Sequence, residues 1–312
     1  MNNKNIKILF FGTSDFALPI LESLIKNKYK ITAVITQPDK PVGRKHILTP
    51  SPVKEMALEN KIQILQPNSR AELSDVRCQL SNVKLNLIIT ASYGKIIPKN
   101  ILSIPKFGAI NVHPSILPKY RGPSPIQTAI LNGDKETGVT IMLMDEKMDS
   151  GDILIQNKIS LAGDEKFNFL HDKLSQIGAD LLIKIIPKWI NKKIKPISQD
   201  EKSVTYSRII TKEDGKIDWN KSAKSIDAQI RAFSKWPVCW TILAGKRVKI
   251  IEAKAFNKNA SANLKIGDIF VTKNKDMAVK CGSGFLQIIR LQEEGRNEIT
   301  GAEYVRGHFK NF

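Results

Sequence analysis

The chain has 312 residues, 42% hydrophobic and 25% charged, the make-up of a folded protein rather than a disordered or collagen-like one. Its 49 Lys and Arg against 30 Asp and Glu give a net charge of +19, which favours a polyanionic partner, above all nucleic acid; a background bias towards Lys, Asn and Ile would give the same surplus. Three widely spaced cysteines, Cys78, Cys239 and Cys281, contain no C-x-x-C pair, so they suggest neither a zinc site nor a disulfide framework and suit a reducing compartment.

The first half alternates strand-like and helix-like segments. Residues 6–11 are a compact apolar run stopped by Gly12, too short for a signal-peptide core. Phe16, Ile20, Leu24 and Ile25 recur at helical spacing, and 29–36 reads as a second strand. Prolines, Gly43 and a basic cluster predict a long exposed loop over 36–53. Further strands are expected at 61–65, 85–90, 109–112, 139–144 and 153–159, with helices at 52–59 and 125–131. Nearly continuous apolar strands alternating with helices argue for an α/β domain around a mainly parallel, buried sheet.

Phe167, Leu170, Leu174, Ile177, Leu181, Ile185 and Trp189 stripe one face of a helix over 167–189. The polar stretch 191–203, with Pro196, suits a linker. Beyond it the runs are short and β-like, at 204–209, 238–244, 248–256, 266–271, 277–281 and 285–291, with helices at 222–233 and 302–310. A small antiparallel barrel or sandwich is expected there. The domains are therefore set at 1–190 and 204–312. Net charge is +8 over 1–190 and +11 over the shorter 191–312, about twice the density. A small basic barrel suits an appended RNA-binding module, and a lysine-rich solubilising surface is the plain alternative. No apolar stretch approaches the roughly 18 residues of a membrane span, so a soluble cytoplasmic protein is expected.

The chemistry-bearing residues are densest in Ile110 to Gln127, INVHPSILPKYRGPSPIQ. Asn111 and His113 are two apart at a strand end, so their side chains face the same way. Ligands of open α/β sheets bind outside that edge. A histidine there can shuttle a proton near neutral pH, and an asparagine can donate to a developing oxyanion. Asp149 lies on a loop between strands, again placed at a strand's C-terminal side, where a carboxylate could orient His113 and stabilise its imidazolium. A polar strand end and an Asp in a turn are the plain readings of the same residues. The loop after strand one lacks G-x-G-x-x-G, which disfavours a dinucleotide, and Asp15 there reads as a helix cap. Lys40, Arg44 and Lys45 in the 36–53 loop are placed to contact phosphates, or are incidental surface charge.

Together these segments resemble the methionyl-tRNA formyltransferase family along nearly the whole chain. The resemblance rests on FFGTSDFALP, TQPDKPVGR…TPSPVK, ASYGKIIP, INVHPSILPKYRGPSPIQ, ETGVTIMLMDEKMDSGDIL, IDWNKSA and RAFSKWPVCW. The central Asn, His and Asp with S-x-L-P mark the wider folate-dependent formyltransferases; the 36–53 loop and C-terminal segments narrow the match. The resemblance implies an N-terminal Rossmann-like α/β domain and a C-terminal β-barrel of oligonucleotide-binding (OB-like) type. It implies formyl transfer from 10-formyltetrahydrofolate to the α-amine of methionyl initiator tRNA, with no metal. Asn111, His113 and Asp149 match the catalytic trio. Tyr93, Gly94, Lys95 and Ile96, then Ser115, Ile116, Leu117 and Pro118, then Leu143, Met144 and Asp145 would surround the folate. Arg44 matches a position associated with the tRNA acceptor end. Lys45-His46-Ile47 is shorter and less basic than some loops of the family. A monomer is the default expectation. Two other readings keep the trio or the basic surface alone: a folate-dependent formyltransferase acting on a small amine, such as a sugar nucleotide or glycinamide ribotide, and a non-catalytic RNA-binding protein.

Overall fold

Apolar runs with helices between them build a seven-stranded sheet in the computed structural model, which describes residues 2–43, 46–79, 83–257 and 263–308. β1 (Lys7–Gly12) is buried from Ile8 onward. α1 (Leu18–Lys26) leads to β2 (Lys30–Ile35), which pairs parallel with β1. A hairpin of β3 (Lys40–Val42) and β4 (Ile47–Thr49) stands apart from the main sheet. α2 (Pro52–Glu59), β5 (Ile64–Leu65), α3 (Arg70–Gln79), β6 (Leu87–Ala91), α4 (Lys99–Leu102) and β7 (Ala109–His113) complete the parallel part. After α5 (Pro125–Asn132), β8 (Glu136–Leu143) and β9 (Ile153–Ser160) are added antiparallel, and α6 (Phe167–Ile190) follows. The strand order is β5-β2-β1-β6-β7-β8-β9, mainly parallel as the sequence predicts.

Two layers cover this sheet. Leu9, Phe11, Ala33, Ile35 and Ile88 share a face with Leu73 and Val76 of α3 and Ile101 of α4 in one buried cluster. On the opposite face α6 comes so close to Val112 that a Cβ on Gly178 would stand 2.7 Å from Cγ1 of that valine, which is why a glycine sits mid-helix. Strand alternation then places Ala109, Asn111 and His113 on the α3/α4 face and Val112 on the α6 face.

The second half adds α7 (Ala223–Ala232), started by Ser222, whose side chain accepts from Ser225 N–H. β10 (Cys239–Leu243), β11 (Lys246–Phe256), β12 (Ile269–Val271), β13 (Met277–Lys280), β14 (Phe285–Glu293) and β15 (Glu298–Thr300) form one antiparallel sheet, and α8 (Gly301–His308) follows. Its order is β10-β11-β14-β13-β12, with β15 on β14. The β11–β14 register shifts between Ile250 and Ala253, a bulge of the kind that bends a strand and curls a sheet. α7 packs on β11 and β14, and α8 on β13, β14 and β15.

Two compact units result. The first gathers Met1–Pro125, Glu136–Ser160 and His171–Ser207; the second gathers Ile126–Lys135, Leu161–Leu170 and Arg208–Phe312. The stretch 191–203 falls within the first unit. No helix among the described residues is long and apolar enough to cross a membrane.

Several elements differ from the sequence expectations. Residues 204–209 are not a strand of either sheet: they are extended, but their pairing is one bridge, Arg121 to Tyr206, against a loop. The strand expected at 61–65 shrinks to two residues because Lys61 turns through a positive φ of 55°. The 36–53 loop contains the β3–β4 hairpin, whose three-residue strands are too short to leave a periodic signal. The apolar pattern does not predict α3; its signal is Ser69-x-x-Glu72, where Ser69 Oγ accepts from Glu72 N–H and the Glu72 carboxylate accepts from Asn68 N–H. Asp15 is not the N-cap of the turn it opens. Ser14 holds that place, and the Asp15 carboxylate instead meets His171 Nε2 of α6 at 3.3 Å.

Candidate active site

β7 presents Asn111 and His113 on one face of the sheet, two residues apart. β8 runs antiparallel to β7, so Leu143 at its end pairs with Ile110 near the start of β7. Asp149 therefore follows a strand that points away from the edge where Asn111 and His113 stand. The loop after β8 brings it back: Met144 N–H donates to Ala109 O at 2.8 Å at the foot of β7, and five residues later Asp149 reaches the top. Asp149 turns with φ +51°, a left-handed conformation that a non-glycine residue keeps only when its surroundings hold it.

The three side chains converge. Asn111 Nδ2 donates to Asp149 Oδ1 at 3.3 Å, and His113 Nδ1 lies 3.6 Å from Asp149 Oδ2. Gly122 N–H donates to the same Oδ2 at 2.8 Å. His113 Nε2 lies 3.0 Å from Tyr120 O, so the ring sits between two oxygens, one at hydrogen-bonding distance and one at ion-pair distance. The His113 side chain is 5% exposed and that of Asp149 15%, so the carboxylate is the wetter end of the pair. Asn111 keeps a second amide hydrogen for another acceptor. Sequence reasoning missed the backbone contributions of Tyr120 and Gly122. Gly122 carries a φ of +110°, and a Cβ there would stand 2.8 Å from Ser207 O, so only glycine fits.

Around this centre, the 115–118 loop is pinned to the sheet. Thr140 Oγ1, fully buried in β8, donates to Ser115 O at 2.6 Å and accepts from Leu117 N–H at 3.1 Å. Gln156 Nε2 donates to Leu117 O at 2.7 Å. Ser115 Oγ donates to Lys119 O at 2.6 Å, so Ser115 and Leu117 are buried while Ile116 and Pro118 are half-buried. Leu143 and Met144 are half-buried; Asp145 is exposed and accepts from Ser150 Oγ at 2.7 Å, which closes the loop that carries Asp149.

The 93–96 segment divides. The Tyr93 side chain belongs to the core: it is 2% exposed, meets Phe11 edge-on at 5.1 Å, and burial pushes its phenol up to about 12. Its carbonyl accepts from Gln37 Nε2 at 2.7 Å, and Gly94 turns beside that amide with φ +76°. Lys95 Nζ donates to Pro67 O at 3.1 Å, and Ile96 is 75% exposed. Lys40 of the hairpin donates to Gln37 Oε1 at 2.6 Å. Arg44 and Lys45 lie outside the described residues. Among the described residues no group of His, Cys, Asp and Glu is arranged to hold a metal ion.

Comparison with known proteins identifies the family. The formyl transferase family model matches residues 4–186, and that of the formyl transferase C-terminal domain matches 209–309. The chain is 42% identical to the methionyl-tRNA formyltransferase of Caldanaerobacter subterraneus subsp. tengcongensis, over 97% of each chain. It is also 42% identical to that of Enterococcus faecalis, over 98% of this chain and 97% of the relative. Among solved structures it resembles WlaRD, a sugar 3N-formyl transferase crystallised with dTDP and 5-N-formyl-THF, with a TM-score of 0.68 and 25% identity over 94% of this chain and 99% of that one. With both domain families matched in order and relatives aligned end to end, the chain belongs to the methionyl-tRNA formyltransferase family.

Proposed function

We propose that the protein transfers the formyl group of 10-formyltetrahydrofolate to the α-amino group of methionyl initiator tRNA, as a cytoplasmic monomer. The observation that carries this reading is one carboxylate, Asp149, within reach of both an amide donor, Asn111, and an imidazole, His113. Formyl transfer between nitrogens needs a donor for the carbonyl oxygen as it gains negative charge, and a proton relay between the two amines. Asn111 supplies the first through its uncommitted N–H. For the relay, His113 Nε2 would exchange Tyr120 O for the attacking α-amine, take its proton and return it to the leaving nitrogen, while Asp149 stabilises the imidazolium formed in between.

The folate supplies the activated formyl group when bound. The residues suit it: exposed Ile96 and half-buried Ile116, Leu143 and Met144 offer apolar contact. Thr90, the β6 neighbour of Asn111 in register, has a buried hydroxyl with no hydrogen-bond partner among the described residues, an orphaned polar atom of the kind a ligand completes. In this reading Tyr93, Gly94, Lys95 and Ile96, Ser115, Ile116, Leu117 and Pro118, and Leu143, Met144 and Asp145 line the folate site, Tyr93 through its backbone.

Formyl transfer is assigned to residues 1–190 and tRNA binding to 204–312, joined through 191–203. Lys40, Arg44 and Lys45 would contact the tRNA, Arg44 at its acceptor end. The denser positive charge after residue 190 would hold the polyanion, so the Michaelis constant for the charged tRNA should rise with salt.

A formylation assay with methionyl initiator tRNA, elongator methionyl-tRNA and a sugar-nucleotide amine, run beside His113→Ala, tests the reading. Turnover confined to the initiator and lost in the variant supports it. Turnover on the small amine alone keeps the folate site and removes the tRNA assignment. Binding of tRNA without turnover removes the enzymatic one.

A further inference from the structure

The stretch 191–203 reads in sequence as a connector, yet its residue Gln199 makes four hydrogen bonds with one side-chain amide. Nε2 donates to Asp149 O at 2.9 Å and to Gly151 O at 2.8 Å. Oε1 accepts from Arg121 Nε at 3.1 Å and from Arg121 Nη2 at 3.0 Å. Arg121 is 3% exposed, and its remaining charge is met by Glu201, with Nη2 to Oε1 at 2.8 Å. The amide thus bridges the two loops that hold the reacting groups. One is the 120–122 loop, whose Tyr120 carbonyl faces His113 and whose Gly122 N–H binds Asp149. The other is the loop carrying Asp149 itself.

The neighbouring residues strap the same two loops along their backbones. Ile197 and Ile153 exchange both backbone hydrogen bonds, at 2.8 and 2.9 Å, and Ser198 Oγ donates to Asp152 Oδ1 at 2.9 Å. Thr205 Oγ1 accepts from Tyr120 N–H at 2.9 Å, Thr205 O accepts from Arg121 N–H at 3.0 Å, and Ser207 N–H donates to Arg121 O at 2.8 Å. Asp149 sits in a left-handed conformation that does not hold itself, and the carbonyls on either side of its turn are the two that Gln199 clasps. Catalytic geometry depends on such outer partners; around metal-bound side chains their loss typically costs about 10- to 100-fold, and the same scale is taken here.

We propose that Gln199 is a positioning residue for formyl transfer: its amide sets the Asp149 turn against the 120–122 loop, and so fixes the spacing of Asp149 from Asn111 and His113. The proposal rests on the function proposed above. It makes 197–207 part of the catalytic apparatus rather than a tether.

Two variants separate the possibilities. Gln199→Glu keeps the acceptor for Arg121 but replaces the donor to the Asp149 and Gly151 carbonyls with an oxygen that repels them. Gln199→Met keeps the length and loses all four bonds. For both, kcat should fall roughly 10- to 100-fold, with Michaelis constants for folate and tRNA within about threefold of wild type. A purely structural role would instead lower melting temperature and active fraction together. The His113 ring signals in a 1H–15N correlation spectrum should also shift in both variants without any substrate added. That spectrum does not depend on turnover: a wild-type protein inactive on methionyl-tRNA would sink the functional reading, while an unmoved His113 signal would sink the positioning role. A kcat within twofold of wild type in Gln199→Glu, or a loss matched by the fraction unfolded, also overturns the proposal.

Discussion

The Asn111 amide donates to the Asp149 carboxylate at 3.3 Å, joining residues 38 apart in the chain. This bond commits one amide hydrogen and aims the other. It also means that the amide proposed to bind the oxyanion and the imidazole proposed to relay the proton share one anchor, Asp149. Damage at Asp149 should therefore be felt at both, and substitutions in the trio should not add.

Asn111→Ala should lower turnover by roughly 10²–10³, since one oxyanion donor is typically worth about 2.7–4 kcal/mol of barrier. His113→Ala should cost roughly 10²–10⁴, the usual contribution of a positioned acid-base group. Single-turnover formylation rates check both. Combining Asn111→Ala with Asp149→Ala should cost clearly less than the product of the two single losses, and full additivity would break the shared anchor apart.

Gly122→Ala strains a φ of +110° and drives a Cβ to 2.8 Å from Ser207 O, a backbone atom that cannot rotate away. A cost of about 1–3 kcal/mol in stability is expected from the backbone alone. Because Gly122 N–H binds Asp149 Oδ2, turnover should fall beyond what the lost stability explains. Urea denaturation beside kinetics at a temperature where the variant is folded measures both. A fully active variant would detach Gly122 from the site.

His171 gives the stability a pH dependence. Burial of the ring works against its charge, but hydrogen bonds and charges from Asp15 and Asp172 outweigh this and hold its pKa above the ordinary 6.5. Nε2 lies 3.3 Å from Asp15 and Nδ1 2.9 Å from Asp172. With the folded value raised, the contribution is complete below the unfolded pKa and is lost as pH rises through the folded one. The melting temperature of the wild type relative to His171→Gln should accordingly decline as pH is raised from about 6.5. A difference that stays flat across that range would contradict the pairing.

The cysteines should separate cleanly by reactivity. Burial pushes the Cys239 thiol up to about 12 and that of Cys281 to about 11, whereas Cys78 is exposed. Since the thiolate is the nucleophile, alkylation of the native protein near pH 8 should modify Cys78 first, and the other two only on unfolding. Mass spectrometry after a short pulse of iodoacetamide reads this directly, and early labelling of Cys239 would show the β10 side of the core to be open.

Local pattern alone determined the mainly parallel sheet, the long α6 stripe, the β-rich second half, and the common face of Asn111 and His113. Each depends on a period of two or 3.6 and on apolar runs, which are properties of neighbouring residues. The pattern also marked Asp149, but for a reason that did not hold: β8 is antiparallel to β7, and only the return of the 144–152 loop along β7 brings the carboxylate back. Residues 204–209 look like a strand because β-branched side chains favour extended backbone, yet whether extended backbone enters a sheet depends on what lies beside it, here a loop. Gln199, Tyr120 O and Gly122 N–H meet the trio and its loops through hydrogen bonds that depend on where the chain folds back. Such bonds carry no period and no composition, so only the tertiary structure could place them.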